Sequence, residues 1–318
     1  MKSIISNLIT GGAGFLGSHL LESLLNEGEK VICLDNFLTG SEKNISKWIT
    51  NSNFKLIDHD IIEPIDLEVD KIWHFACPAS PAIYKNDPIA TAKINFLGTY
   101  NMLCLAKKLN AKFLLASSSE IYGEPEIHPQ TESYNGSVNC IGERSCYVEG
   151  KRIAESLCSD FKRKHKCNVK IARIFNTYGP RMKINDGRVV GNFIVQSLSN
   201  KPITIYGNGE QTRSFCFVDD LVNGLKLFMN SNYAGPLNLG NPHELRIIDL
   251  AKIVNTRIGN SFNIEYSQLP FGEPSKRKPS IDLAKKHICW EPYISIDLGI
   301  EKTISYFRDE LFNSRIIR

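Results

Sequence analysis

The run TGGAGFLG at residues 10–17 constrains this chain more than any other stretch. An apolar strand-length segment, SIISNLIT (3–10), leads into it, and a helix-period run, SHLLESLLNEG (18–28), follows. Gly11, Gly14 and Gly17 stand where a strand-to-helix turn needs residues without a Cβ, for the turn, for backbone approach to a pyrophosphate, and for close helix–strand packing. A phosphate placed there meets the unpaired amides of the helix N-terminus. Asp35 closes the next strand, KVICLD (30–35). A carboxylate at that place takes the two ribose hydroxyls of an adenosine and repels a 2′-phosphate. NFLTG (36–40) carries no Lys or Arg, so the expected cofactor is NAD rather than NADP.

The alternation continues through the first half. FKLIDHD (54–60), KIWHFA (71–76), KFLLASSS (112–119) and VKIARIF (169–175) read as strands, with helices around 90–109 and 147–165. Continuous apolar strands alternating with helices predict an α/β fold, a doubly wound parallel sheet covered on both faces. After residue 176 the chain turns polar and turn-rich, and KPITIYGNGEQTRSF reads as a hairpin-bearing excursion. The expected organisation is a Rossmann domain over 1–175, rejoined by roughly 210–240. A smaller C-terminal substrate lobe over 176–209 and 241–318 would lie across the carboxyl ends of the strands, where open α/β sheets bind ligands.

Within ERSCYVEGKR (143–152), Tyr147 and Lys151 are four residues apart, one helical turn on one face. The pair is common on exposed helices. Behind a dinucleotide loop it reads as a proton-transfer pair, the ammonium favouring the phenolate of a residue whose ordinary pKa is about 10.

The totals exclude other classes. Net charge is +4 in 318 residues, and the basic runs FKRKHK (161–166) and KRK (276–278) lack interleaved aromatics, which argues against a nucleic-acid partner. Nine cysteines occur without a C-x-x-C pair, as expected of reduced packing residues in a cytoplasmic protein with no metal site. The first residues read as neither a signal peptide nor a membrane helix.

Together, TGGAGFLG, Asp35, SSSEIYG (117–123) and YVEGK (147–151) resemble the extended short-chain dehydrogenase/reductase family acting on nucleotide sugars. HFACPASPAIY (74–84), CIGERSCY (140–147), RIFNTYGPRM with DGRVVGNF (173–193) and YGNGEQTRSFCFVDDLV (206–222) resemble its UDP-glucuronate decarboxylase branch. The resemblance implies that Gly11, Gly14, Phe15, Leu16 and Gly17 hold the pyrophosphate of NAD. Asp35, Asn36, Phe37, Thr39 and Gly40 would line the adenosine ribose, with Asp60 and Ile61 at the adenine. Phe75, Ala76, Cys77 and Ala116 would follow the strand ends under the cofactor, with Thr177 and Arg188 nearby. Ser118, Glu120, Tyr147 and Lys151 would form the catalytic group, with Tyr147 and Lys151 also contacting the cofactor, Lys151 at the nicotinamide ribose. Tyr84, Lys93, Asn176, Arg181, Arg213 and Arg277 would face the UDP-sugar, joined there by Ser118 and Glu120. A homodimer through two helices per subunit is also implied.

The chain departs from that branch at Ser118, where threonine is usual, at Cys140 for proline, and at Gly191 for serine; none removes a charge. Dehydratases of the superfamily carry an acid where this chain has Ser119. A 4-epimerase, a 4,6-dehydratase and a non-catalytic NAD-binding scaffold stand as alternatives to decarboxylation.

Overall fold

A computed structural model describes residues 5–268 and 276–316. Residues 3 and 4 of the first expected strand lie outside the described residues. Seven parallel strands form the central sheet: β1 (Ser6–Thr10), β2 (Lys30–Asp35), β3 (Phe54–Asp58), β4 (Lys71–His74), β5 (Lys112–Ser118), β6 (Val169–Ile174) and β7 (Pro236–Leu239). Their order is β7-β6-β5-β4-β1-β2-β3. The order reverses between β1 and β4, and the crevice outside the strand ends there is where such a sheet binds its ligand.

Side-chain alternation along the strands divides the core. Ile72, Phe113, Leu115 and Ile171 pack on one face with Met102, Leu103, Ala154 and Cys158. Their strand neighbours Trp73, Leu114 and Ala172 pack on the other with Leu20, Leu21, Leu24 and Leu25 of the helix Phe15–Asn26. Both faces are covered, so β4 through β6 show little polar alternation.

The expected helix over 90–109 is three joined pieces: Pro88–Lys93, a π-helical turn at Ile94–Gly98, and Thr99–Leu109. Asp87 caps the first by accepting from the amide of Ala90. Asn110 ends the last in the left-handed conformation. The expected hairpin in 201–215 does not form. Ile203–Tyr206 pairs in parallel with Ile264–Ser267. Thr212–Ser214 instead pairs antiparallel with Glu244–Arg246 and in parallel with Lys276–Arg277. Distant segments outcompete the local turn because they bury Ile203 and Ile205 in the shared core.

The segment after Arg277 is tied to the first half of the chain. The Gln130 amide donates to the Lys278 carbonyl, and the Ser280 amide donates to the Gln130 carbonyl, each at 2.8 Å. These bonds carry Arg277 to the end of β5. All nine cysteines are free. Among the described residues, no helix is long and apolar enough to cross a membrane.

His74 ends β4 between the hydroxyls of Thr10, at 2.9 Å, and Thr99, at 3.2 Å. Burial, with help from the Lys151 charge, lowers its pKa from 6.5 to about 3. The folded protein thus keeps a neutral imidazole that the unfolded chain protonates below pH 6.5. Stability is lost as pH falls through that window, by roughly 1.4 kcal/mol per unit. Between pH 7 and 5 His74 should account for about 2 kcal/mol of lost stability. Urea unfolding of His74→Gln should show a correspondingly shallower acid dependence; an unchanged slope would refute this reading of His74.

Candidate active site

A cleft of about 600 Å³ runs along the carboxyl ends of the strands. Its floor begins at the glycine turn. Gly11 has φ +70°, and a Cβ there would come within 2.9 Å of the Ala76 backbone. A Cβ on Gly17 would lie 2.1 Å from the Gly11 carbonyl oxygen, so the helix can seat on the turn only without one. Gly17→Ala is expected to lower the unfolding midpoint and to abolish the thermal stabilisation that added NAD gives the wild type. A variant stabilised by NAD as strongly as the wild type would contradict this assignment of the turn.

Asp35 is buried at the end of β2. Its two oxygens accept from the amides of Ala13 and Phe37, each at 2.9 Å, which fixes the turn against the strand. Each oxygen retains acceptor capacity toward a ribose. Burial raises the pKa of this carboxylate above its ordinary value, with the charge of Lys183, a cleft residue that sequence reasoning passed over, opposing the shift. Asn36 donates to Asp60 at 3.1 Å, and Asn36, Thr39, Asp60 and Ile61 line this end of the cleft. Phe37 and Gly40 do not line it. Phe37, at φ +58°, packs toward the core, and Gly40 leaves room for the Asp35 carboxylate.

Phe15, Leu16, Phe75, Ala76, Cys77, Ala116, Thr177 and Arg188 line the middle, with the Arg188 guanidinium 5.8 Å from the Phe15 ring centroid. Arg181 also lines the cleft, paired with Glu22 of the glycine-loop helix. A glycine turn opening a helix, a buried acid on the neighbouring strand and an elongated cleft between them fit a dinucleotide.

At the other end, the helix Ser145–His165 brings Tyr147 and Lys151 under the tip of β5. The Lys151 ammonium is buried and donates to the Ala116 carbonyl at 2.8 Å. It lies 5.9 Å from the Tyr147 ring centroid. The Tyr147 ring stacks on Tyr84 with centroids 5.1 Å apart, and both Tyr147 and Ser118 line the cleft here. The expected depression of the Tyr147 pKa is not seen. Burial, reinforced by Cys77, pushes it well above its ordinary value, while Ser118 and Arg188 pull the other way.

Ser118 caps the short 3₁₀ turn Ser119–Tyr122 by accepting from the Glu120 amide. The Glu120 carboxylate is clamped by Arg277, only 4% exposed, on one oxygen and by Arg144 on the other. Arg144 lines the cleft and was missed from the sequence. Its signal was a position three residues before Tyr147, at the foot of the same helix. Tyr84, Asn176 and Arg213 line this end as well. Lys93 does not: it stands exposed at the end of the helix Pro88–Lys93.

Fold and cleft together define a dinucleotide-binding enzyme that moves protons and hydride at a secondary alcohol. The chain belongs to the NAD dependent epimerase/dehydratase family, which it matches over residues 7–240. It is 52% identical over 304 residues to UDP-glucuronic acid decarboxylase 1 of Xenopus tropicalis, covering 96% of this chain and 72% of that one. Identity to the UDP-glucuronic acid decarboxylase 1 of Arabidopsis thaliana is 52% over 306 residues, covering 96% and 70%. Among solved structures it resembles a UDP-glucuronic acid 4-epimerase mutant from Bacillus cereus in complex with a fluorinated UDP-glucuronic acid and NAD. The TM-score is 0.88 and the identity 27%, covering 96% of this chain and 100% of that one.

Proposed function

We propose that the protein decarboxylates UDP-glucuronate to UDP-xylose through a 4-keto intermediate, with NAD recycled. The observation that carries this reading is Glu120, a single carboxylate held by Arg277 and Arg144 beside Ser119 rather than beside a second acid. Expelling a hydroxyl as water needs an acid next to a base. Losing carbon dioxide does not. The 52% identity to curated decarboxylases supports the same choice over epimerisation.

Tyr147 takes the proton from the sugar 4-hydroxyl and returns it at the end. NAD, when bound, supplies the hydride acceptor and the later donor at C4, and the positive charge that makes a buried phenolate accessible. Lys151, fixed on the Ala116 carbonyl, places its ammonium beside that phenol. With C4 a ketone, the C6 carboxylate is β to it, and the C5–C6 bond breaks with its electrons passing into an enolate. Ser118 is the donor for the enolate oxygen. Arginine forks suit carboxylate and phosphate oxygens, so Arg144, Arg277 and Arg213 are assigned to the acidic substrate. Glu120 orients the ring or a water that protonates C5.

The test is product mass after incubation with UDP-glucuronate and NAD. A UDP-pentose supports the reading; an unchanged mass would overturn it in favour of a 4-epimerase or a non-catalytic NAD-binding protein, and loss of water would mean a dehydratase.

We propose in addition a cytoplasmic location and a homodimer. Free cysteines throughout suit a cytoplasmic protein. Phe96, Leu97, Tyr100 and Ile153 stand 38–45% exposed on the helices Pro88–Leu109 and Ser145–His165, a surface suited to a homodimer. Tyr100→Glu should shift the protein from dimer to monomer in light scattering. A wild type that is already monomeric would remove the assignment.

A further inference from the structure

The first serine of the SSSE run, Ser117, and Glu155 have no place in the chemistry above, yet they stand directly behind it. Glu155 follows Tyr147 and Lys151 on their helix, one turn beyond Lys151. Two consecutive residues at the tip of β5 are each held by one of these side chains, just before Ser118. Ala116 accepts from Lys151, and Ser117 donates to Glu155 Oε1 at 2.5 Å. Glu155 is itself gripped by Arg173 of β6, whose Nη2 donates to Oε2 at 2.8 Å and whose Nε donates to Oε1 at 3.1 Å.

Arg173 reaches onward. Its Nη1 donates to the Tyr122 hydroxyl at 3.0 Å and to the Glu132 carbonyl at 2.9 Å. Tyr122 donates to Asn238 at 2.7 Å and ends the 3₁₀ turn that carries Glu120. One polar chain thus touches the strand tip bearing Ser118, the helix bearing Tyr147 and Lys151, and the turn bearing Glu120. Each ordinary stabilising role of these bonds could be met without joining all three elements. The arrangement also leaves little slack, since Glu155 and Arg173 are about nine-tenths buried and engage each other through paired donors.

We propose that Ser117 and Glu155 are positioning residues. Through them Arg173 sets the register between the helix and the strand tip, and hence the spacing of Tyr147 from Ser118. This rests on Tyr147 being the proton-transfer residue, not on the identity of the sugar. The reason to expect a catalytic effect is that misplacing a reacting group by about 1 Å costs up to 10²-fold in rate.

The test compares Ser117→Ala, Glu155→Gln and the double variant on whichever UDP-sugar the wild type turns over, so a failed uronate assignment leaves it intact. Each single variant should lower kcat by about 10- to 100-fold with KM near the wild-type value. The double variant should be no slower than the slower single, because both break the same link. Ser156→Ala, which alters the same surface hollow outside the network, should match the wild type. If Glu155→Gln fails to fold, Ser117→Ala alone decides. Wild-type kcat in Ser117→Ala, losses confined to the melting temperature, or additive losses in the double variant would each overturn the proposal.

Discussion

Tyr147→Phe is expected to reduce kcat by about 10³-fold or more while leaving NAD binding intact. General acid–base groups contribute about 10²- to 10⁴-fold, and the proposed mechanism uses this one for both the opening and the closing proton transfer. The substitution removes only an oxygen. The ring still stacks on Tyr84 and still fills a buried site, so folding and the thermal shift with NAD should stay close to wild type. The comparison is steady-state turnover against NAD-induced stabilisation. A variant with more than a tenth of wild-type turnover would mean that another group takes the 4-hydroxyl proton.

Glu120→Gln should produce the second large effect, and in two readouts at once. The amide keeps the size of the carboxylate but removes the charge between Arg277 and Arg144. Arg277, 4% exposed, then stays buried without its counter-ion. Breaking a buried pair from one side costs about 3–5 kcal/mol; Glu120 is the less buried partner, so the lower end of that range is expected. Turnover should fall by about 10²-fold or more, because the group that orients the ring or the protonating water is lost. Urea unfolding and kcat together check it. A variant as stable as the wild type would show that the clamp is not an energetic unit. Near-normal turnover would remove Glu120 from the chemistry.

Much of this site was legible in the sequence because its parts obey local rules. A glycine turn between strand and helix, an acid at the end of β2 and a tyrosine–lysine pair one turn apart all lie within short windows. Long-range packing was less legible. Nothing local shows that Thr212–Ser214 pairs with Lys276–Arg277, yet that pairing delivers Arg277 to Glu120. The environment of Tyr147 was misjudged for a related reason. Spacing indicates that an ammonium is near, but not that burial beside Cys77 and Tyr84 raises the pKa of the phenol. Ser117 was invisible in a run of three serines, since only the fold separates the one that faces Glu155 from the one that faces Tyr147. Lys93 shows another limit of local pattern: it matches in the sequence, yet stands exposed and does not line the cleft.

The measurement that tests the whole account most directly is turnover of UDP-glucuronate with NAD in deuterium oxide, followed by mass spectrometry and proton magnetic resonance of the sugar. The account predicts a UDP-pentose that has lost carbon dioxide, carries one solvent deuterium at C5, and forms without net accumulation of NADH. A product of unchanged carbon content, or a pentose with no deuterium at C5, would contradict it.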